Sequence, residues 1–356
     1  MTTTPHLSLK HRAFDLAFRA IGASGADRWG AGLARGLGAI LMLHHVRPAA
    51  GRGFAPNGIL EITPEFLDRA LHLVRDLGFD IVSLDEAIAR TISGDSQRFF
   101  IALTFDDGYR DNVEHAWPVM AQHNAPWTMF VTPGFADRTA PLWWLVLEEA
   151  IRRLGRIEAR WSNQIFTART VTDAEKQLAF DQIYWRLRAG AEQDLLAVVG
   201  KLGQEAGVDP AGMTDALCLD WAQLRALAGA PGITIGAHTM THPMLAKHEA
   251  DVARREMADS KARLEHELGL PIRHLAYPVG DPGSAGRREF AMAAELGFAS
   301  AVTTRPGHVF AMHQRHLHAL PRVSMNGMHQ NETALKAMLS GLPFLALNKG
   351  RRINVG

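Results

Sequence analysis

The chain has 356 residues, 47% of them hydrophobic and 21% charged, a balance that argues against intrinsic disorder. Thirty-eight Lys and Arg against 37 Asp and Glu leave a formal charge of +1, which speaks against the basic footprint of a dedicated nucleic-acid binder. One cysteine, Cys218, rules out an internal disulfide framework and a cysteine-rich zinc site, whereas 17 histidines supply groups suited to metal ligation and to proton transfer near neutral pH.

In chain order, the apolar spacing of Phe14, Ala17, Phe18 and Ile21 predicts helix over 9–37, broken near Gly22, Ser24 and Gly25. That stripe suits either packing on the domain or peripheral contact with a membrane surface. Residues 39–45 predict a buried strand. Thr63-Pro64-Glu65 opens a helix running to about 78, with a capping residue ahead of a proline. Strands follow at 79–84, 99–105 and 127–132, with a helix at 112–123 between the last two. Residues 140–215 break the rhythm and predict a helical insertion, whose tryptophans (Trp143, Trp144, Trp161, Trp185) suit either a sugar ring or a small core of their own. Further strands are expected at 233–237, 273–277, 299–303 and 316–323, with helices at 248–268 and 285–296. The tail from 341 lacks clear periodicity. No run of about 18 apolar residues predicts a spanning helix. The charged first 20 residues lack the apolar core of a secretory signal, so the expected location is the cytoplasm.

About eight strands separated mostly by helices predict an α/β fold of mostly parallel βα units, with its chemistry at the C-terminal strand ends. Barrel and open sheet are not separated by the pattern alone. Two such ends stand out. Thr104-Phe105-Asp106-Asp107-Gly108 places two adjacent carboxylates after an apolar strand, where they repel unless a cation or a proton neutralises one; Asp-Gly is also an ordinary turn. His238-Thr239-Met240-Thr241-His242 places two histidines four apart, which on a helical turn would face one ion; backbone-satisfied histidines fit the spacing equally. Together, one carboxylate and two histidines resemble an open catalytic zinc site, with the other carboxylate free as a base. A third end, Leu43-His44-His45, offers a general acid, one imidazole turned in and the other out.

These segments resemble the polysaccharide deacetylase family (carbohydrate esterase family four, the NodB-homology group). The family's TFDDG segment is matched by 104–108 and its H-[ST]-x-x-H segment by 238–242. Its Tyr-Pro-x-Gly turn is matched by Tyr277-Pro278-Val279-Gly280. The resemblance covers roughly 39–325 and implies a distorted (β/α) barrel of seven or eight strands within a domain at 39–330. A helical segment at 1–38 precedes that domain and a tail at 331–356 follows it. It further implies Asp106 as catalytic base and Asp107, His238 and His242 as ligands of one divalent ion, with zinc first and cobalt, nickel or iron as alternatives.

In the subgroup whose first strand reads L-M-Y-H, the acid histidine lies near the amino end. Leu41-Met42-Leu43-His44 matches that strand, so the resemblance carries the acid to His44, ahead of His45; His318 is the candidate under the commoner arrangement. The family arginine that orients the base is absent at Ala276, and Arg322 in Leu320-Pro321-Arg322-Val323 is the expected substitute. Tyr277 and the main chain at Val279 are expected at the substrate. The implied activity is metal-dependent N-deacetylation of an amino sugar in an oligosaccharide, polysaccharide or glycolipid precursor. Its rivals are hydrolysis of another non-peptide C–N bond, a non-catalytic carbohydrate-binding role, and, least supported, iron oxygenase chemistry on the same ligand set.

Overall fold

The computed structural model describes residues 9–49, 51 and 53–355. Seven parallel strands close into a barrel: β1 (Gly38–Leu43), β2 (Phe100–Phe105), β3 (Trp127–Val131), β4 (Ile233–Ala237), β5 (His274–Ala276), β6 (Ser300–Pro306) and β7 (Leu320–Ser324). Each pairs with the next, and β7 closes on β1 through Leu41↔Val323 and Met42↔Ser324. The strand Asp80–Val82 stays outside the barrel and pairs with the first half of β2, on the edge whose second half pairs with β3.

The strands are mostly apolar and almost wholly buried because both of their faces are covered. Residue parity decides which face each side chain takes. On β2, Ile101, Leu103 and Phe105 pack outward in the cluster that holds the surrounding helices. Phe100 and Ala102 join Ile40, Phe130, Ala276, Val302 and Leu320 in the lumen. All of these lumen residues are even-numbered, so continuing each strand sends Thr104, Asp106, His238, Arg322 and His44 toward one mouth.

The amino-terminal segment forms the helices Leu9–Ala23, Ala26–Trp29 and Ala31–Ala34, interrupted beside the left-handed Gly25. At the next helix, Pro64–Asp76, the Thr63 hydroxyl accepts from the Phe66 N–H at 3.2 Å. Two expectations change. The stretch 140–215 is not purely helical: it contains an antiparallel hairpin, Arg156–Trp161 with Gln164–Arg169. In its first strand Ile157, Ala159 and Trp161 are buried and alternate with exposed Arg156, Glu158 and Arg160, a two-residue period too short to stand out among helical patterns. The tail is also ordered, with helices Glu332–Ser340 and Leu342–Leu347. Among the described residues no helix is long and apolar enough to cross a membrane.

Lumen packing leaves no room for a methyl group on Gly38, where a Cβ would meet the Phe100 ring at 2.2 Å. Gly38→Ala should cost about 1–3 kcal/mol by overpacking, read as a lower urea midpoint at an unchanged slope; an unshifted midpoint would contradict this packing.

Candidate active site

Three loops at the C-terminal strand ends carry strained backbone. Asp107 (φ 73°), Thr239 (60°), His242 (66°) and Val279 (63°) account for four of the eight non-glycine residues with positive φ among the described residues, a concentration typical of functional loops. At Asp107 the left-handed conformation breaks the alternation of β2. Parity alone would point this side chain away from Asp106, yet it too turns toward the mouth. His238 and His242 do not share a helical turn, contrary to expectation. They lie on an irregular loop after β4, bent back by its two left-handed residues and held by a bond from the His242 N–H to Thr239 Oγ1 at 3.2 Å.

Asp106 is gripped by Arg322. The guanidinium donates to both carboxylate oxygens at 2.7 Å, to Thr104 Oγ1 at 3.2 Å and, through Nε, to the Thr303 carbonyl at 2.9 Å. Burial works most strongly against the Asp106 anion, but the charge and hydrogen bonds of Arg322 together with His238 and His44 outweigh it and hold the carboxyl below its ordinary range. His44 Nε2 stands 3.9 Å from Asp106 Oδ2. Burial depresses the His44 imidazole despite the opposing pull of Asp106 and Asp107.

Asp107 has different neighbours. Its Oδ1 lies 3.5 Å from His238 Nε2 and 3.4 Å from His242 Nε2, and it is buried without a hydrogen-bond partner among the described residues. Ligands bound to one tetrahedral ion at 2.0–2.2 Å stand ~3.4 Å apart, so this O,N,N set fits a divalent cation. The His238 ring is oriented from behind, with Nδ1 2.7 Å from the Ala276 carbonyl, which leaves Nε2 as the ligand atom. Burial drives His242 down to about 3, keeping it in the neutral form that ligation needs. His238 moves the other way: burial lowers it, but Asp107 and Asp106 more than compensate. Ligation through Nε2 requires the neutral imidazole, so metal binding competes with any proton on His238.

The other expected residues are dispersed. His45 faces away from Asp106: its Nδ1 meets Asp111 Oδ2 at 2.6 Å and its ring stacks on Tyr109 at 3.6 Å. His318 lies before β7, at the opposite end of the barrel, bonded to the Phe298 carbonyl at 2.7 Å. The Tyr277 side chain is withdrawn from any substrate. It is fully buried against Phe290, and its hydroxyl donates to the His318 carbonyl at 2.9 Å. At Val279 a β-branched residue sits at φ 63° in a turn whose carbonyl accepts from Thr304 Oγ1 at 2.5 Å. Three of the insertion tryptophans, Trp143, Trp144 and Trp161, belong to that insertion's core, whereas Trp185 is 64% exposed. Trp144 also walls the site, its ring 4.9 Å from His242.

Sequence reasoning passed over Asp111 and Asn112. Asn112 Nδ2 donates to the His44 carbonyl at 2.7 Å and to Asp111 Oδ1 at 3.0 Å, so both help seat the end of β1. Their position just beyond Asp106-Asp107-Gly108, after Tyr109 and Arg110, was the available signal.

A barrel with this mouth matches known proteins. The polysaccharide deacetylase family matches residues 93–300, more than half of the chain, and the chain belongs to that family. Among solved structures, Streptococcus pyogenes deacetylase PplD in complex with acetate is similar at 19% identity and a TM-score of 0.55, over 85% of this chain and 97% of that one. IcaB from Ammonifex degensii is similar at 16% and 0.52, over 84% and 96%. The BpsB deacetylase domain from Bordetella bronchiseptica is similar at 18% and 0.50, over 81% and 95%. These likenesses establish the shared fold. No curated protein sequence matches the chain.

The Asp106–Arg322 pair carries a stability prediction. Arg322→Met should cost about 3–5 kcal/mol in urea unfolding, because it strands a buried carboxylate. Adding Asp106→Asn should recover part of that loss. If the double variant is no more stable than the single, the pair is not the source of the cost.

Proposed function

We propose that the chain is a metal-dependent carbohydrate N-deacetylase, hydrolysing the acetamide of an amino sugar in an oligosaccharide, polysaccharide or glycolipid precursor. The observation that carries this reading is the division of labour between neighbouring carboxylates. Asp106 is held by a guanidinium, and Asp107 converges with two imidazoles at ligand spacing. Family membership supports the same class of reaction.

Asp107, His238 and His242 would hold the divalent ion, with zinc first and cobalt, nickel or iron as alternatives for this ligand set. Such an ion, when bound, supplies Lewis acidity toward the acetamide carbonyl and lowers the pKa of bound water from 15.7 toward about 7. Asp106 is the base that takes a proton from the attacking water. Arg322 keeps it anionic and fixes its orientation, leaving it ready to accept that proton at neutral pH. His44, on the same side of the mouth and in its protonated form, gives a proton to the departing sugar amine. The strained Val279 turn offers main-chain N–H groups to the developing oxyanion, a role independent of its side chain.

Acid and base steps each contribute about 10²–10⁴-fold. Asp106→Asn should therefore lower acetate release from N-acetylglucosamine oligomers by at least about 10²-fold while metal content stays the same. Elemental analysis should find one divalent ion per wild-type chain and none in folded His238→Ala/His242→Ala. An active Asp106→Asn protein sinks the base assignment, and metal retained by the double variant sinks the ligand set. His44→Ala should slow turnover more than His45→Ala or His318→Ala, provided that all three remain folded; the reverse order would move the acid elsewhere.

A further inference from the structure

The two ends of the chain meet on the barrel's flank. Asp15 on the helix Leu9–Ala23 bonds His329 at 2.9 Å, and Phe18 packs edge-on against the same ring at 5.0 Å. The Arg35 side chain donates to the Leu339 carbonyl at 3.1 Å, and the Arg352 guanidinium to the Leu33 carbonyl at 3.0 Å. This terminal bundle carries the three most exposed large hydrophobic side chains among the described residues: Trp29 at 72%, Leu16 at 71% and Leu33 at 68%. Gly30 continues the backbone in α-conformation between the helices Ala26–Trp29 and Ala31–Ala34. Trp29 and Leu33 are therefore four residues apart on one helical face. Leu347, 45% exposed, lies on the carboxy-terminal helix Leu342–Leu347.

Charge is divided in the same way. Residues 1–37 and 341–356 hold eight Lys and Arg but only two acidic residues, Asp15 and Asp27, whereas the rest of the chain holds 30 basic and 35 acidic residues. The ends thus carry a surplus of six positive charges on a protein whose net charge is +1. Arg19, Lys349, Arg351 and Arg352 are exposed.

We propose that this terminal bundle is a docking surface for an anionic lipid bilayer. Projecting Trp and Leu side chains on chain ends with a basic surplus, Arg352 reaching the Leu33 carbonyl, suit insertion at the headgroup level of a negatively charged leaflet. A protein partner would need a pocket for each projecting side chain, and nucleic acid would use the charge but leave the apolar groups in water. The proposal does not depend on the deacetylase reading.

The test is flotation of the full chain with phosphatidylglycerol-containing vesicles and with pure phosphatidylcholine vesicles. The expected result is binding to the anionic vesicles only, weakened by salt. Trp29→Ala/Leu33→Ala and, separately, Arg351→Glu/Arg352→Glu should each reduce partitioning by at least about tenfold. Trp185→Ala, which removes an equally exposed tryptophan elsewhere, should leave it unchanged. All variants are checked by circular dichroism, and the substituted side chains are exposed. The proposal is overturned by absence of the wild-type protein from the floated anionic fraction or by undiminished binding of both double variants. It is also overturned if size exclusion shows a dimer that Trp29→Ala/Leu33→Ala dissociates, because the patch would then be covered by a second copy.

Discussion

The mouth of the barrel depends on one buried ion pair, Arg322 with Asp106. Both side chains are almost completely excluded from solvent, and removing two charges from water costs several kcal/mol each. The cost is offset by four of the five guanidinium N–H donors, which meet both Asp106 oxygens, the Thr303 carbonyl and Thr104 Oγ1, with the Phe130 ring below at 5.9 Å. Thr104 in turn donates to the Leu41 carbonyl at 2.7 Å. The pair thus reaches from β7 to β2 across β1, where first and last strands meet. Closure of the barrel and orientation of the carboxylate are one event, and a sheet open at this seam would leave Asp106 without its cation.

That constraint explains how two neighbouring aspartates acquire different chemistry. They share one strand end and nearly the same burial. Asp106 follows the parity of β2 into the lumen, where a permanent cation satisfies it. Asp107 is turned by its left-handed backbone toward two imidazoles, whose charge depends on protonation or on a bound metal. Burial pushes both carboxyls up, and in each the opposing charges win. Because the guanidinium never gives up its proton, Asp106 remains an anion whether or not the ligand set is filled. A carboxylate separated in this way from the cluster of Asp107, His238 and His242 can change protonation without disturbing that cluster.

Much of this was legible in the sequence because it rests on local pattern. The mostly apolar runs ending in Asp-Asp-Gly and in His-Thr mark largely buried strands, and side-chain period alone carries His44, Asp106, His238 and Arg322 to one end. What the sequence concealed was long-range or conformational. Arg322, 216 residues from Asp106, was expected as its partner from the family resemblance alone, and barrel closure is what brings the two together. The loop geometry of His238 and His242 depends on positive φ at Thr239 and His242, for which neither residue is a usual signal. Tyr277 belongs to a motif associated with the site, yet its hydroxyl is spent on the His318 carbonyl, because a ring following the short strand β5 fits only between the barrel and its outer helices.

Two additions to the barrel differ in how they connect to this mouth. The insertion reaches the site through Trp144, whose ring lies against His242, while Trp143 stacks with Tyr184 at 5.4 Å inside the same core. A change in the packing of that core therefore bears on an imidazole of the ligand set. The terminal bundle has no comparable contact. Its buried bonds run between the two chain ends, through Asp15–His329 and Arg35–Leu339, and into the start of β1, where the Leu37 N–H donates to the Val309 carbonyl at 2.7 Å. That start is the end of the strand remote from His44. Substitutions in the insertion core should thus be felt at His242, whereas the exposed residues of the bundle are free to vary with whatever surface they meet.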